Sequence, residues 1–196
     1  MKILLGRDDV NPDNLDHDGR TPLWIAASNG HKGVVKILLG RDDVDPDKPN
    51  VDGRTPLWSA ASNGRKGLGV VKMLLGRADV NPDKPDNYGQ TPLCYAALNG
   101  HQGVVTMLLK RGDVNPEIPD IDGQTPLCCA AENGHEGVVK MLLKRDNVNP
   151  DRPDAHSRTL LWWAVLESRD RYCEVNLSRT RVDVIVWMTT VHLSTS

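Results

Sequence analysis

TPLWIAASNG, the stretch at residues 21–30, recurs in altered form along most of the chain. Its Thr-Pro-Leu start appears in four copies and a degenerate fifth, which begin at Thr21, Thr55, Thr91, Thr125 and Thr159. The spacings are 34, 36, 34 and 34 residues. The longer spacing has a local cause, because GRKGLGVV at residues 64–71 is two residues longer than the matching GHKGVV at 30–35. The chain is therefore a tandem array with a period of 34 residues.

Each unit predicts two short helices. Thr21 is a good N-cap, and a proline in the first helical turn lacks only an N–H that would be unpaired there. The Asn29-Gly30 pair predicts the helix end, because glycine readily takes the left-handed conformation. A second helix carries the broad apolar face of residues 34–39, and the Asp/Pro-rich residues 41–49 then form a turn-rich finger. Neither helix can bury its apolar face alone, so we expect an all-α repeat solenoid of stacked helix-turn-helix units with projecting finger loops.

The motifs within the unit are similar to those of a known family. DGRTPL at residues 52–57, the alanine pair after it, GHKGVVKILL at residues 30–39 and Asp-Val-Asn at 79–81 resemble the ankyrin repeat. The resemblance covers roughly residues 1–167. It implies an L-shaped stack of antiparallel helix pairs with β-hairpin fingers, which recognises proteins through a concave face of fingers and first helices.

The predicted organisation has irregular ends. It comprises a partial repeat at 1–17 (second-helix remnant and finger), repeats at 18–51, 52–85 (with the insertion), 86–119 and 120–153, a degenerate partial repeat at 154–168 and a non-repeat tail at 169–196. Met1 aligns with Val35, inside a second helix. In the tail, residues 182–191 are β-branched and partly alternating, which indicates a strand or an aggregation-prone segment. These ends suggest a fragment of a longer array, with a true C-terminal cap as the alternative.

Two features depart from the resembled motif. The family usually has histidine after Thr-Pro-Leu, whereas this chain has Trp24, Trp58, Cys94, Cys128 and Trp162. We therefore expect the histidine hydrogen bonds to be lost and replaced by packing. Each finger also contains an extra proline, at Pro49, Pro85, Pro119 and Pro153, which should stiffen it and disfavour regular hairpin pairing.

Composition excludes several functions. The 24 basic and 26 acidic residues are interspersed and give a net charge of −2, so no nucleic-acid surface is predicted. No run of apolar residues is long enough to span a membrane, and the N-terminus does not resemble a signal peptide. Four cysteines at irregular spacing do not form a disulfide framework. We expect an intracellular protein, cytoplasmic or nuclear, without cofactors.

Several short motifs suggest chemistry, but the repeat accounts for them better. Arg-Gly-Asp at 111–113 is the repeat's own turn, which elsewhere reads Arg-Asp-Asp or Arg-Ala-Asp. Residues 14–19 resemble the start of a calcium loop, but the closing glutamate is missing. The histidines and cysteines show no metal-ligand spacing and no catalytic dyad, and Cys94 and Cys128 lie about one repeat apart. We predict neither a metal site nor an enzyme.

Differences among the copies point to a binding surface. Framework columns barely change, while the finger tips and polar positions of the first helices vary. The predicted partner-binding residues are His17, Arg20, Ser28, Val51, Arg54, Ser62, Asn87, Tyr88, Gln90, Leu98, Ile121, Gln124 and Glu132. Their charge changes along the array from arginine to glutamine and glutamate. Unconstrained drift of surface loops is the alternative explanation.

The sequence thus predicts a protein–protein interaction module, monomeric unless the exposed array ends associate. A sensor or scaffold segment of a larger multidomain protein, or a truncated fragment without independent activity, is the alternative.

Overall fold

A computed structural model describes residues 11–167, with side chains up to Trp163. This part of the chain contains nine α-helices and no strand: α1 Pro22–Ser28, α2 Lys32–Leu38, α3 Pro56–Ser62, α4 Leu68–Leu75, α5 Pro92–Leu98, α6 Gln102–Leu109, α7 Pro126–Glu132, α8 Glu136–Leu143 and α9 Leu160–Glu167. The predicted all-α repeat solenoid is confirmed. The predicted second-helix remnant at the N-terminus and the tail at 169–196 lie outside the described residues.

The first helix of each unit begins and ends as its sequence predicts. The Thr55 side chain accepts a hydrogen bond from the Trp58 N–H at 3.1 Å, and Pro56 follows it in the first turn. Equivalent threonines cap α1, α5 and α7. Gly30, just after α1, has a φ of 69°, which a residue with a Cβ adopts at a cost. Local sequence therefore sets the length of these helices.

The helices form two layers that run along the array. First helices pack on first helices, from α1 through α3, α5 and α7 to α9, and α2, α4, α6 and α8 pack on one another in the second layer. In each of the four full units the same two leucines are at most 1% exposed, in the columns Leu23, Leu57, Leu93, Leu127 and Leu38, Leu74, Leu108, Leu142. Buried alanine pairs allow the first helices to approach closely. The core is thus shared between neighbouring units.

The two-residue insertion changes one junction. In the third and fourth units a histidine contacts a carbonyl of the preceding unit, with His101 Nε2 3.1 Å from Ser62 O and His135 Nε2 2.9 Å from Leu98 O. The second unit has a turn at residues 63–67 instead, and there the Asn63 side-chain amide donates to Ser28 O at 2.8 Å. An asparagine thus makes the connection that the histidine makes elsewhere.

The fingers are hydrogen-bonded turns, not the β-hairpins that the resemblance implies. Within residues 11–167 no ladder of strand pairs forms, in keeping with the extra proline in each finger. A backbone bond closes each finger, such as Asn50 N–H to Arg54 O at 3.0 Å. At the base, the Asp47 carboxylate accepts the Asn81 N–H at 2.6 Å and links successive fingers.

Candidate functional site

The finger tips form a continuous row. In each tip one aspartate or asparagine oxygen accepts two backbone N–H groups, as Asp86 Oδ1 does from Tyr88 and Gln90, both at 2.9 Å. Neighbouring tips are joined by backbone bonds, with Val51 N–H donating to Asp18 O at 3.1 Å and equivalent bonds further along. The spacing of the tips is therefore fixed by the backbone.

Large apolar side chains project from this row. Val51 is 63% exposed, Tyr88 53% and Ile121 67%. They occupy three successive finger tips, Val51 and Ile121 at one position of the unit and Tyr88 at the next position. The predicted tip residues His17 and Asn87 are also exposed, and Asn87 uses its side-chain amide to donate to Val51 O at 3.0 Å. An exposed apolar row on a rigid backbone is suited to contact with a protein surface.

A groove of about 440 Å³ lies between the fingers and first helices of the first two units. Trp24 and Trp58 line it together with the serines of α1 and α3, and Val51 and the arginines lie on the finger side. Trp24 is half-buried and Trp58 is only 4% exposed. The groove therefore offers both aromatic and hydroxyl surface.

Arginines hold the tryptophans in place. The guanidinium carbon of Arg54 lies 4.4 Å from the Trp58 ring centroid, and that of Arg20 lies 5.7 Å from Trp24. Both arginines also pair with finger carboxylates, Arg20 with Asp16 at 2.8 Å. Hydrogen bonds, first of all from the Arg20 N–H, lower the pKa of the Asp16 carboxyl, so this pair is charged at neutral pH. The lining of the groove therefore carries both positive and negative charges, which largely cancel.

The side chains after Thr-Pro-Leu, where the resembled motif has histidine, do more than fill space. Trp24 Nε1 donates to Arg54 O in the next unit at 2.9 Å, so the expectation that hydrogen bonding is lost in this column was wrong at Trp24. Trp58 instead lies against Tyr95, with ring centroids 4.2 Å apart. Neither tryptophan was among the predicted binding residues, although their position in the first helix could have indicated it.

Comparison with known proteins agrees with this architecture. Three overlapping matches to the family of ankyrin repeats cover residues 1–84, 43–120 and 113–177. The chain belongs to the ankyrin repeat family. Ankyrin repeats are generally protein–protein interaction modules and are typically not enzymes. A search of the curated proteins finds no match to this chain.

The ankyrin stack brings only part of the predicted binding set together. Arg20, Ser28, Val51, Arg54 and Ser62 all line the groove of the first two units. Residues of the later units lie elsewhere along the array, where Gln90, Leu98 and Glu132 are half-buried.

Gln124 offers the least surface of the predicted set. It is 9% exposed, and its Nε2 donates to Glu132 Oε2 at 2.8 Å. Gln124 and Glu132 therefore already bind each other within the fourth ankyrin unit.

The Arg-Gly-Asp tripeptide has the same hydrogen-bonded geometry as the equivalent residues of the preceding unit. Arg111 Nε donates to Asp113 Oδ1 at 2.9 Å, as Arg77 does to Asp79 at 2.8 Å. The hydrogen bond from Arg111 lowers the pKa of the Asp113 carboxyl. Both charged ends of the tripeptide thus bind each other.

One cluster differs from the sequence interpretation. Cys94 was compared with Cys128, but its neighbour in the structure is Cys129, with the two sulfur atoms 3.1 Å apart. Asp120 lies beside them, and one ligand atom from each of the three residues falls within 4.8 Å of the others. The prediction that the cysteines have no metal-ligand arrangement therefore misses a grouping that only the stacking creates.

No helix in the described part of the chain has the length and apolar character needed to cross a bilayer.

Proposed function

We propose that this ankyrin array binds a protein partner through its concave face, formed by the finger tips and the groove of the first two units. The observation that carries the proposal is the row of exposed Val51, Tyr88 and Ile121 beside the tryptophan-lined groove. Truncation of such apolar anchors commonly costs more than 1 kcal/mol of binding free energy. The binding energy is expected to come mainly from these side chains.

The groove should complement the row of tips. Arginine over tryptophan presents a flat surface that accepts an apolar or planar side chain, and the flanking serines supply hydrogen-bonding groups. We expect a partner segment to lie along the tips and to insert a side chain near Trp24.

The test is quantitative capture of partners from cell extract by the full chain and by a V51D/Y88D/I121D variant. The matched control lowers the net charge by the same three units at exposed lysines of the second layer, as K36Q/K72Q/K110Q. Partners that bind the concave face should be lost from the first variant and retained by the control. Equal capture by the tip variant and the unmodified chain would show that the concave row is not the binding surface.

A groove variant separates the two parts of the surface. Ser28→Arg places a long side chain in the groove and leaves the tips unchanged. We expect weaker binding of the same partners, measured by titration with a captured partner once it is purified. Unchanged affinity would restrict the binding surface to the tips.

A further inference from the structure

Two neighbouring positions of the unit meet at two junctions between first helices. There the residue after Thr-Pro-Leu of one unit contacts the residue one position later in the following unit. At the junction of α3 and α5 these are Trp58 and Tyr95, 4.2 Å apart between ring centroids. At the junction of α5 and α7 they are Cys94 and Cys129, whose side chains are both fully buried. Two thiols thus replace an aromatic pair at this junction.

Asp120 adds a carboxylate to the thiols, and its surroundings differ from those of its counterparts. In other fingers the equivalent carboxylate pairs with an arginine, Asp86 with Arg54 at 3.4 Å and Asp154 with Arg158 at 2.7 Å. The corresponding positions near Asp120 hold the neutral Gln90 and Gln124. Asp120 is 8% exposed, its Oδ1 accepts the Asp122 and Gln124 N–H groups, and it forms no ion pair with the described residues.

A further oxygen lies beside Cys129. Gln124 donates through Nε2 to Glu132, and this turns its Oε1 towards Cys129 Sγ, 3.8 Å away. The charged neighbours that act on the Cys129 thiol, Asp120 and Glu132, are both acidic. The junction therefore collects two sulfur and several oxygen donors in a negative field, surroundings that favour a cation.

We infer that Cys94, Cys129 and Asp120 form a binding site for one divalent cation of the zinc class, with Gln124 Oε1 as the fourth ligand. Thiolate sulfur with nitrogen or oxygen donors in a tetrahedron is the coordination that zinc prefers. On binding, both thiols release a proton and two sulfur–metal bonds form, so one cation replaces two protons.

The required movement is small. Zinc–sulfur bonds of about 2.3 Å in a tetrahedron separate the two sulfur atoms by about 3.8 Å. The sulfur atoms of Cys94 and Cys129 lie 3.1 Å apart, so they must separate by about 0.7 Å to hold the ion. The bound ion would join α5, α7 and the fourth finger, and it would stabilise the folded array according to its concentration and affinity.

Cobalt(II) is the probe, because tetrahedral thiolate coordination gives visible ligand-field bands and a near-ultraviolet charge-transfer band. The full chain is used with Cys173→Ser, reduced and freed of metal, and is titrated with cobalt and then with competing zinc. We expect one cobalt ion per chain, displaced by zinc, together with a higher unfolding temperature.

Three variants test the two thiols and the carboxylate as ligands. Cys94→Ser and Cys129→Ser should abolish the charge-transfer band, and Asp120→Asn should weaken binding at least tenfold. Asn50 already occupies the position equivalent to Asp120, so the asparagine is expected to cap the finger and preserve the fold. Cys128→Ser is the control, because Cys128 is buried in the same helix but lies outside the cluster.

Far-ultraviolet circular dichroism of each metal-free variant shows whether it folds. The inference is overturned if the unmodified site gives no cobalt spectrum, or if folded Cys129→Ser retains it. It is also overturned if Cys128→Ser loses the spectrum as fully as Cys129→Ser does. A Cys94–Cys129 disulfide that resists added reductant, and so leaves no thiols for the metal, would have the same consequence.

Discussion

Replacing Gly67 by alanine tests whether the inserted turn leaves room for a Cβ atom. Gly67 precedes α4 and has helical angles, φ −77° and ψ −19°, so alanine meets no backbone penalty there. A Cβ at this position would lie 1.9 Å from the Ala60 carbonyl oxygen, whereas real Cβ atoms essentially never come closer than 3.0 Å. The two groups must therefore separate by at least about 1.1 Å. The Cβ is fixed to the Gly67 backbone, and the oxygen belongs to the backbone of Ala60 in α3. No side-chain rotation therefore relieves the clash.

The expected cost follows from this displacement. Forcing extra atoms into a packed region typically costs about 1–3 kcal/mol, and a backbone obstacle places Gly67→Ala near the upper end. Alanine also reduces the freedom of the unfolded chain, which returns about 0.4–1 kcal/mol. We expect a net loss of about 2 kcal/mol in the free energy of unfolding, which lowers the unfolding temperature by about 4–8 °C in a chain of this size.

Gly33→Ala is the matched control. Gly33 lies inside α2, and a Cβ there would meet nothing within 4 Å. This variant should be more stable than the unmodified chain by about 0.5–1 kcal/mol, because alanine is the better helix former. Urea unfolding followed by far-ultraviolet circular dichroism measures both variants. If Gly67→Ala proves as stable as Gly33→Ala, the insertion is not packed as described and the steric reasoning fails.

Three further changes probe other contacts by the same urea unfolding. Trp24→Phe removes the Nε1 hydrogen bond of 2.9 Å to Arg54 O and should cost about 1 kcal/mol; an unchanged free energy of unfolding would contradict this. His135→Ala breaks the 2.9 Å contact with a carbonyl of the third unit, and we expect a loss of about 1 kcal/mol with faster hydrogen exchange in α7. If exchange in α7 is unchanged, the contact does not secure that junction. Burial raises the pKa of Asp83, so the stability it contributes is fully present below its unfolded pKa and is lost as pH rises through the folded pKa. Asp83→Asn cannot ionise, so it should gain stability relative to the unmodified chain between acid and neutral pH; a difference that stays constant with pH would count against this.

The architecture could be predicted from the sequence because its determinants are local and repeated. Thr-Pro pairs begin the first helices, and the Asn-Gly pair after α1 ends that helix. The leucine columns show which faces must be buried. Each of these signals acts within a few residues, so the chain alone carries them.

The candidate site depended on how one unit is offset against the next. The period aligns Cys94 with Cys128, yet stacking places it against Cys129. The same offset brings the Trp24 Nε1 to a carbonyl of the following finger. A comparison of columns shows which residues vary, but it does not show which columns meet across a junction.

The backbone bonds between finger tips have a mechanical consequence. Each tip is tied to the next, as Ile121 N–H is to Tyr88 O at 3.0 Å, while each unit contacts mainly its neighbours. Bending of the array would then change the distance between distant tips by accumulating small rotations, one at each junction. A partner bound to Val51, Tyr88 and Ile121 at once would fix the distances between these tips. It would therefore hold the array at one curvature. If the proposed partner binds all three tips, the curvature of the array would decide which lengths of partner fit.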